Sequence, residues 1–328
     1  MSPGDPRTPV TIVTGWLGAG KTTLLNRVLR EPAGVRWAVL VNEFGSVSVD
    51  HRLVVRSDEQ MVELANGCVC CSVRGDLVAA LARLRRRRAP WFRRPRFDRV
   101  LLETTGLAEP APLLRTFLVE EGVAAAYTVN SVVTLVDAAH AGLALAEHAA
   151  QEQIVLADVL VLNKADLVDA PARAGLRARL TAMNPAARLA ETVRAELPLA
   201  ALLEARDPAA RPAGPAGREE HSDHAAHDTH GIGSVTLTSE APLDELKTQL
   251  WLSGAVKLMG PRLIRCKGFL HLAGRPERGI LQGVYDLYTV EAGPPWSQGE
   301  PRRNEIVFIG RGLDRAFLER GLAACAER

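Results

Sequence analysis

The stretch Gly15-Trp16-Leu17-Gly18-Ala19-Gly20-Lys21-Thr22-Thr23 constrains the fold more than any other part of the chain. It has the spacing G-x-x-x-x-G-K-[ST], with Gly15, Gly20, Lys21 and Thr22 in register. Glycines let the backbone curl until successive N–H groups point inward, and that concavity accepts phosphate oxygens. Lys21 sets a point charge beside the β- and γ-phosphates, and the Thr22 hydroxyl is a ligand for Mg²⁺. The run Val10-Thr11-Ile12-Val13 precedes the loop as a strand, and residues 22–29 follow it as a helix. The positive end of that helix then faces the same phosphates.

Further apolar runs recur at 35–42, 99–103, 132–138 and 158–163, without alternation and separated by helical stretches. Such runs describe strands buried on both faces. The predicted fold is therefore α/β, a P-loop NTPase with a mostly parallel sheet and helices on both faces. MVELANG (61–67) reads as a short strand ending in an Asn-Gly turn, and Asp76 is placed to cap a helix carrying Leu77, Leu81 and Leu84. Ligands of parallel sheets bind at the carboxyl ends of the strands, so the polar residues there are pooled into one site.

Between Arg206 and Gly231 the composition changes to Pro, Ala, His and charge with no large apolar residue, which reads as a flexible linker. Beyond it, SVTLTSE, RLIRCKGFLHLA, LQGVYDLYTV and EIVFIG are strand-like, and helices are expected at 242–252 and 314–326. The expected organisation is a nucleotide-binding domain over 1–205, a His-rich linker over 206–232 and a smaller C-terminal α+β domain over 233–328.

A net charge of +2 gives no reason to expect nucleic acid or a membrane surface as partner. Nine Arg fall within 83–99, interleaved with Trp91, Phe92 and Phe97. A solvated helix end is the favoured reading over a nucleic-acid patch, because no recognised binding motif accompanies it. The first residues lack a signal-peptide pattern, and no run is long enough to span a bilayer. A cytoplasmic location is the resulting expectation.

Four further motifs bear on chemistry. Asn163-Lys164-Ala165-Asp166 follows a buried strand. A carboxylate at Asp166 accepts two hydrogen bonds from N1 and N2 of guanine, an edge adenine lacks, while the stem of Lys164 can lie along the base. Glu103-Thr104-Thr105-Gly106 also ends a strand. Glu103 suits Mg²⁺, directly or through water, and Gly106 lets a backbone N–H approach the γ-phosphate. Cys68, Cys70 and Cys71 crowd three thiols into four residues, too close for a disulfide framework. Thiolates select Zn²⁺, Cu(I) or Co²⁺, and an incomplete protein ligand set suits an exchangeable ion. His221, His224, His227 and His230 recur every third residue in the linker, as an auxiliary metal tract or simply a hydrophilic spacer.

In order along the chain, GWLGAGKTTLLN, VNEFGSVSVDHRL, NGCVCC, ETTGLAEPAP and LNKADL resemble the CobW-type GTPases, and the stretch from Ser234 is similar to that family's C-terminal domain. The resemblance implies a GTP-hydrolysing metal chaperone that serves a client metalloprotein or a cofactor-biosynthesis enzyme. Zinc is the preferred ion on ligand softness and availability, with cobalt second. It implies that Gly15, Gly18, Ala19, Gly20, Lys21, Thr22 and Thr23 hold phosphates, with Gly106 beside them. It further implies that Asn163, Lys164 and Asp166 read guanine, and that Cys68, Cys70 and Cys71 hold the cargo ion. Glu43 and Asp50 belong to the first switch, and Asp50 joins Thr22 and Glu103 as a Mg²⁺ candidate. Lys21, Glu43 and Glu103 are the candidates for the hydrolytic step. No Gln stands out to position water, so slow intrinsic hydrolysis is expected. The rival expectation is a zinc-binding stress or regulatory module that uses nucleotide only as a structural ligand.

Overall fold

The computed structural model describes residues 7–30, 35–41, 61–63, 72–86, 97–199 and 231–327. The chain divides into two compact units, one around each of two sheets. In the first, β-branched and leucine-rich runs become β1 (Thr8–Gly15), β2 (Trp37–Val41), β3 (Met61–Glu63), β4 (Arg99–Glu103), β5 (Tyr127–Asp137), β6 (Val159–Asn163) and β7 (Arg188–Glu191). All neighbouring pairs are parallel, in the order β3-β2-β4-β1-β5-β6-β7. Every residue of β1, β2 and β6 is buried, as unalternating apolar runs require when both sheet faces are covered.

The covering helices are α1 (Lys21–Arg30), α2 (Ser72–Arg86), α3 (Ala111–Val119), α4 (Glu121–Ala124), α5 (Ala141–Ala144), α6 (His148–Val155) and α7 (Ala170–Met183). In α1 the residues Leu24, Leu25 and Val28 face inward at helical spacing. They pack with Val13, Val39, Leu101 and Leu135 from the sheet. Helix α6 is unusual in burying Gln151, Glu152 and Gln153 together with Ile154 and Val155. Buried amides and carboxylates need partners: Gln151 Nε2 donates to Leu145 O, Gln153 Nε2 to Gly106 O and Ala108 O, and Glu152 Oε1 accepts from Ala111 N–H.

Two expectations are corrected here. Helix α2 starts at Ser72, so Asp76 lies inside the helix and not at its cap. Burial of Leu77, Ala80, Leu81 and Leu84 carries the helix through Gly75, whose cost in a helix is only about 1 kcal/mol. The run LQGVYDLYTV is two strands and not one, because Tyr285 and Asp286 turn the chain between Val284 and Leu287, which pair. Tyr285 adopts φ 53°, the left-handed conformation of a tight turn.

The second unit holds β8 (Ile232–Ser239), β9 (Leu263–Leu270), β10 (Glu277–Val284), β11 (Leu287–Pro295) and β12 (Asn304–Arg311). They form an antiparallel sheet in the order β11-β10-β9-β12-β8. Helices α8 (Glu245–Met259) and α9 (Arg315–Ala324) extend and shorten, respectively, the expected 242–252 and 314–326. Each is capped by an aspartate: Asp244 accepts from Lys247 N at 2.8 Å, and Asp314 from Phe317 N at 2.9 Å. Leu252, Val256, Leu318 and Leu322 close a core around Phe308, whose ring meets Trp251 edge-on at 6.0 Å. Among the described residues no helix is long and apolar enough to cross a membrane.

Phe308 is fully buried at the centre of that core. Phe308→Ala is expected to destabilise this unit by about 3–5 kcal/mol, read as an earlier denaturant midpoint of Trp251 fluorescence with little change in slope.

Candidate functional site

The sheet order sets the site. Strand β1 lies between β4 and β5, so its C-terminal loop emerges among the tips of its neighbours. Gly15 (φ 137°) turns the chain off β1 directly against the Leu135 carbonyl, where a Cβ would overlap it. Gly20 (φ 105°) then opens α1, and a Cβ there would stand 2.5 Å from Asn163 Nδ2. Side chains at either position would push the loop off its seat.

Lys21 is nearly buried, and a buried ammonium needs acceptors. Its Nζ donates to Gly15 O at 2.9 Å and Trp16 O at 3.2 Å, so the charge lies inside the loop's curve. Thr22 Oγ1 stands 3.4 Å from Glu103 Oε1, and Glu103 is paired in register with Val13 on the adjacent strand. A hydroxyl and a carboxylate converging beside a phosphate loop are hard oxygen donors, the set that Mg²⁺ takes.

The Glu103–Gly106 stretch is tied down from several sides. Thr104 N donates to Val13 O at 3.0 Å, and Thr104 Oγ1 to Thr14 Oγ1 at 2.8 Å. Gly106 lies so close to Leu17 that an added Cβ would meet its backbone nitrogen at 2.7 Å. Gln153 Nε2 donates to Gly106 O at 3.2 Å and Ala108 O at 2.9 Å. The Thr105 hydroxyl is buried with no hydrogen-bond partner among the described residues.

Asn163 does more than its motif suggests. Its Nδ2 donates to Ala19 O at 2.9 Å, while Oδ1 accepts from Ala195 N at 2.8 Å and Thr192 Oγ1 at 3.1 Å. The amide thus bolts the phosphate loop to the segment after β7. Lys164 takes the left-handed conformation (φ 59°), and its Nζ bonds Asp137 Oδ2 at 2.6 Å. Asp166 is exposed on the short 3₁₀ turn Ala165–Leu167, open to a ligand at that rim.

Asp137, His140 and Gln153 are site residues that sequence reasoning missed. Asp137 ends β5, the strand between the phosphate loop and Asn163, and its polar tip was the available signal. Burial pushes its carboxyl up, but hydrogen bonds from Lys164, His140 and the Ala139 N–H outweigh that and hold it below the usual carboxylate range. Nothing in the sequence marks Gln153. Of the other expected site residues, Glu43, Asp50, Cys68, Cys70, Cys71, His221, His224, His227 and His230 lie outside the described residues.

Two predictions follow from these bonds. Asn163→Ala strips three partners from one buried polar cluster and is expected to cost about 2–4 kcal/mol in thermal stability and to weaken guanine-nucleotide binding. Asp137 titrates lower folded than unfolded, so its contribution is complete above about pH 4 and is lost as pH falls through the folded value. In acid titrations followed by circular dichroism, Asp137→Asn is expected to flatten that acid limb relative to the native chain.

Comparison with known proteins agrees with this architecture in both units. Residues 9–191 match the CobW/HypB/UreG nucleotide-binding domain, and residues 232–326 match the cobalamin synthesis protein cobW C-terminal domain. The chain is 33% identical over 322 residues to the zinc chaperone YjiA of Escherichia coli, covering 96% of this chain and 97% of that one. It is 35% identical over 349 residues to the zinc chaperone CobW of Pseudomonas aeruginosa, covering 94% and 89%. The crystal structure of Zn(II)-bound YjiA GTPase from E. coli superposes with a TM-score of 0.70 at 28% identity, over 98% of this chain and 99% of that one. Phosphate loop, Glu103 tip, N-K-x-D tip and C-terminal antiparallel sheet together place this chain in the CobW/HypB/UreG family, as a member with the CobW C-terminal domain.

Proposed function

We propose that the chain is a GTP-hydrolysing metallochaperone that carries zinc, with cobalt the second choice, on Cys68, Cys70 and Cys71. It hands the ion to a client metalloprotein or a cofactor-biosynthesis enzyme in the cytoplasm. The observation that carries this reading is the convergence of Lys21, Thr22, Glu103 and Asn163 on one loop in a chain that aligns end to end with zinc chaperones.

Within this reading the loop from Gly15 to Thr23 cradles the phosphates, and Lys164 and Asp166 hold the guanine. Thr22 and Glu103, with Asp50 from the first switch, are the ligands for Mg²⁺, which supplies charge neutralisation at the transferring phosphate. Lys21 offsets the same charge from the other side, and Glu43 is the remaining candidate for orienting water. Residues 1–205 act as the nucleotide domain, 233–328 as the C-terminal domain, and the histidines of the 206–232 linker as an auxiliary metal tract.

Chain geometry supports coupling between nucleotide and cargo. Strand β3 ends at Glu63, in register through Val41 with Glu103, so it leaves the sheet at the same rim as the phosphate loop. Three strand spacings, about 14 Å, separate β3 from β1. Five residues from Glu63 to Cys68 span up to about 17 Å, enough to bring thiolates to the phosphate rim.

A chaperone that loads and unloads must bind its ion differently in its two nucleotide states, because a ligand that binds both equally shifts neither. Zn²⁺ titrated against GTP-analogue and GDP forms is expected to bind the former at least about tenfold more tightly, a coupling of about 1.4 kcal/mol. Cys70→Ala should weaken the metal and spare GTP, and Lys21→Ala should do the reverse. Equal zinc affinities in the two forms would remove the switch, and absence of metal-responsive GTP turnover would leave a zinc-binding module with a structural nucleotide.

A further inference from the structure

Among the described residues, a mixed donor cluster lies outside the phosphate loop. Glu109, His148 and Glu152 each offer one ligand atom, and the three atoms lie within 4.8 Å of one another. Glu109 closes the loop that begins at Glu103. His148 and Glu152 are one turn apart on α6, so they share a face.

The separation of His148 from Glu109 fits an ion better than it fits the bare pair. His148 Nδ1 stands 3.6 Å from Glu109 Oε1, too far for a hydrogen bond. Ligands about 2.05 Å from a tetrahedral zinc stand about 3.4 Å apart. As a plain ion pair the contact does little, since both side chains are more than half exposed, at 56% and 53%. Glu152 is different: it is 3% exposed, and its Oε1 accepts Ala111 N–H at 3.0 Å. A carboxylate oriented by an outer hydrogen bond is how proteins fix a metal ligand.

The geometry points to a second metal site, in which Glu109, His148 and Glu152 bind a divalent ion of the zinc class and leave a fourth position open. One imidazole and two carboxylates suit Zn²⁺ and Co²⁺ and lack the soft sulfur ligands that select Cu(I). Three protein ligands with an open position permit exchange, unlike a closed structural site. The ion would join Glu109 to α6, beside the amide bonds that Gln153 already makes to Gly106 and Ala108. Its influence on the nucleotide rests on the proposed role of the 103–106 loop; its existence does not.

The test uses the full chain with Cys68, Cys70 and Cys71 changed to Ser and His221, His224, His227 and His230 changed to Ala. Titration with Co²⁺ alone should show one saturable equivalent with a visible spectrum free of thiolate charge transfer. Adding His148→Ala or Glu109→Gln should weaken that binding at least tenfold, and adding Glu121→Gln should leave it unchanged. No saturable binding in this background, or equal affinity after His148→Ala, would overturn the site. Should that background fail to fold, the native chain and its His148→Ala variant are compared for zinc retained after gel filtration. One equivalent fewer is expected in the variant, and equal content would overturn the site. If the cysteines carry no metal, the native chain lacks the thiolate band while the His148-dependent signal remains, so the two readings fail separately.

Discussion

One buried amide, that of Asn163, holds the nucleotide site in shape. Its three hydrogen bonds join the phosphate loop at Ala19 to Thr192 and Ala195 beyond β7. Each bond to a buried partner contributes on the order of 1 kcal/mol, and leaving such a partner unmet costs more. The same contact dictates Gly20, because the amide occupies the space a Cβ would need. A motif usually read for its contact with the base is, in this chain, first a clamp between two distant loops. The glycine-rich loop is thus fixed by a residue 144 positions away, in a strand that β5 separates from β1.

Charge follows the same plan. Lys21 and Glu103 are both buried, which is costly for isolated charges. They are tolerable because carbonyls of the loop surround the first, and the Thr22 hydroxyl stands beside the second. A second buried acid, Asp137, holds Lys164 at 2.6 Å and thereby the strained left-handed turn on which Asp166 sits. In the proposed function, phosphate, divalent ion and base would each meet a group whose position the protein sets in advance, which is the condition for electrostatic help without reorganisation.

Much of this could be read from residues alone, for physical reasons that differ by region. The parallel sheet was legible because β1, β2, β4 and β6 are unalternating apolar runs, and polar tips then had to share one rim. Gly15, Lys21, Thr22 and Asn163 were legible because their spacing is fixed by local chemistry. What escaped depends on tertiary packing. Helix α2 runs past Gly75 because leucines downstream are buried, which no local rule announces. The Tyr285-Asp286 turn escaped because the residue at positive φ is Tyr285, a bulky aromatic that rarely adopts it. Gln153 and Glu152 escaped because a polar residue on a short helix looks solvated until its buried partners in the 106–111 segment are seen.

The segment from Glu103 to Glu109 is held by several separate contacts of modest strength. It is held by the Thr104 bonds to β1, the contact of Gly106 with Leu17 and the two carbonyl bonds from Gln153. Each is worth on the order of 1 kcal/mol, the same scale as the 1–3 kcal/mol that typically couples two ligands on one protein. A loop held far more tightly could not respond to the γ-phosphate, and one held far more loosely could not transmit the response. Its two ends reach different chemistry: Glu103 meets the Thr22 hydroxyl, and Glu109 meets His148 on α6. Under the two proposals made above, a shift at the first end would reach the donor geometry at the second along one short segment. Coupling of that kind would need no long-range rearrangement, only a short segment held by bonds comparable in strength to a typical coupling free energy.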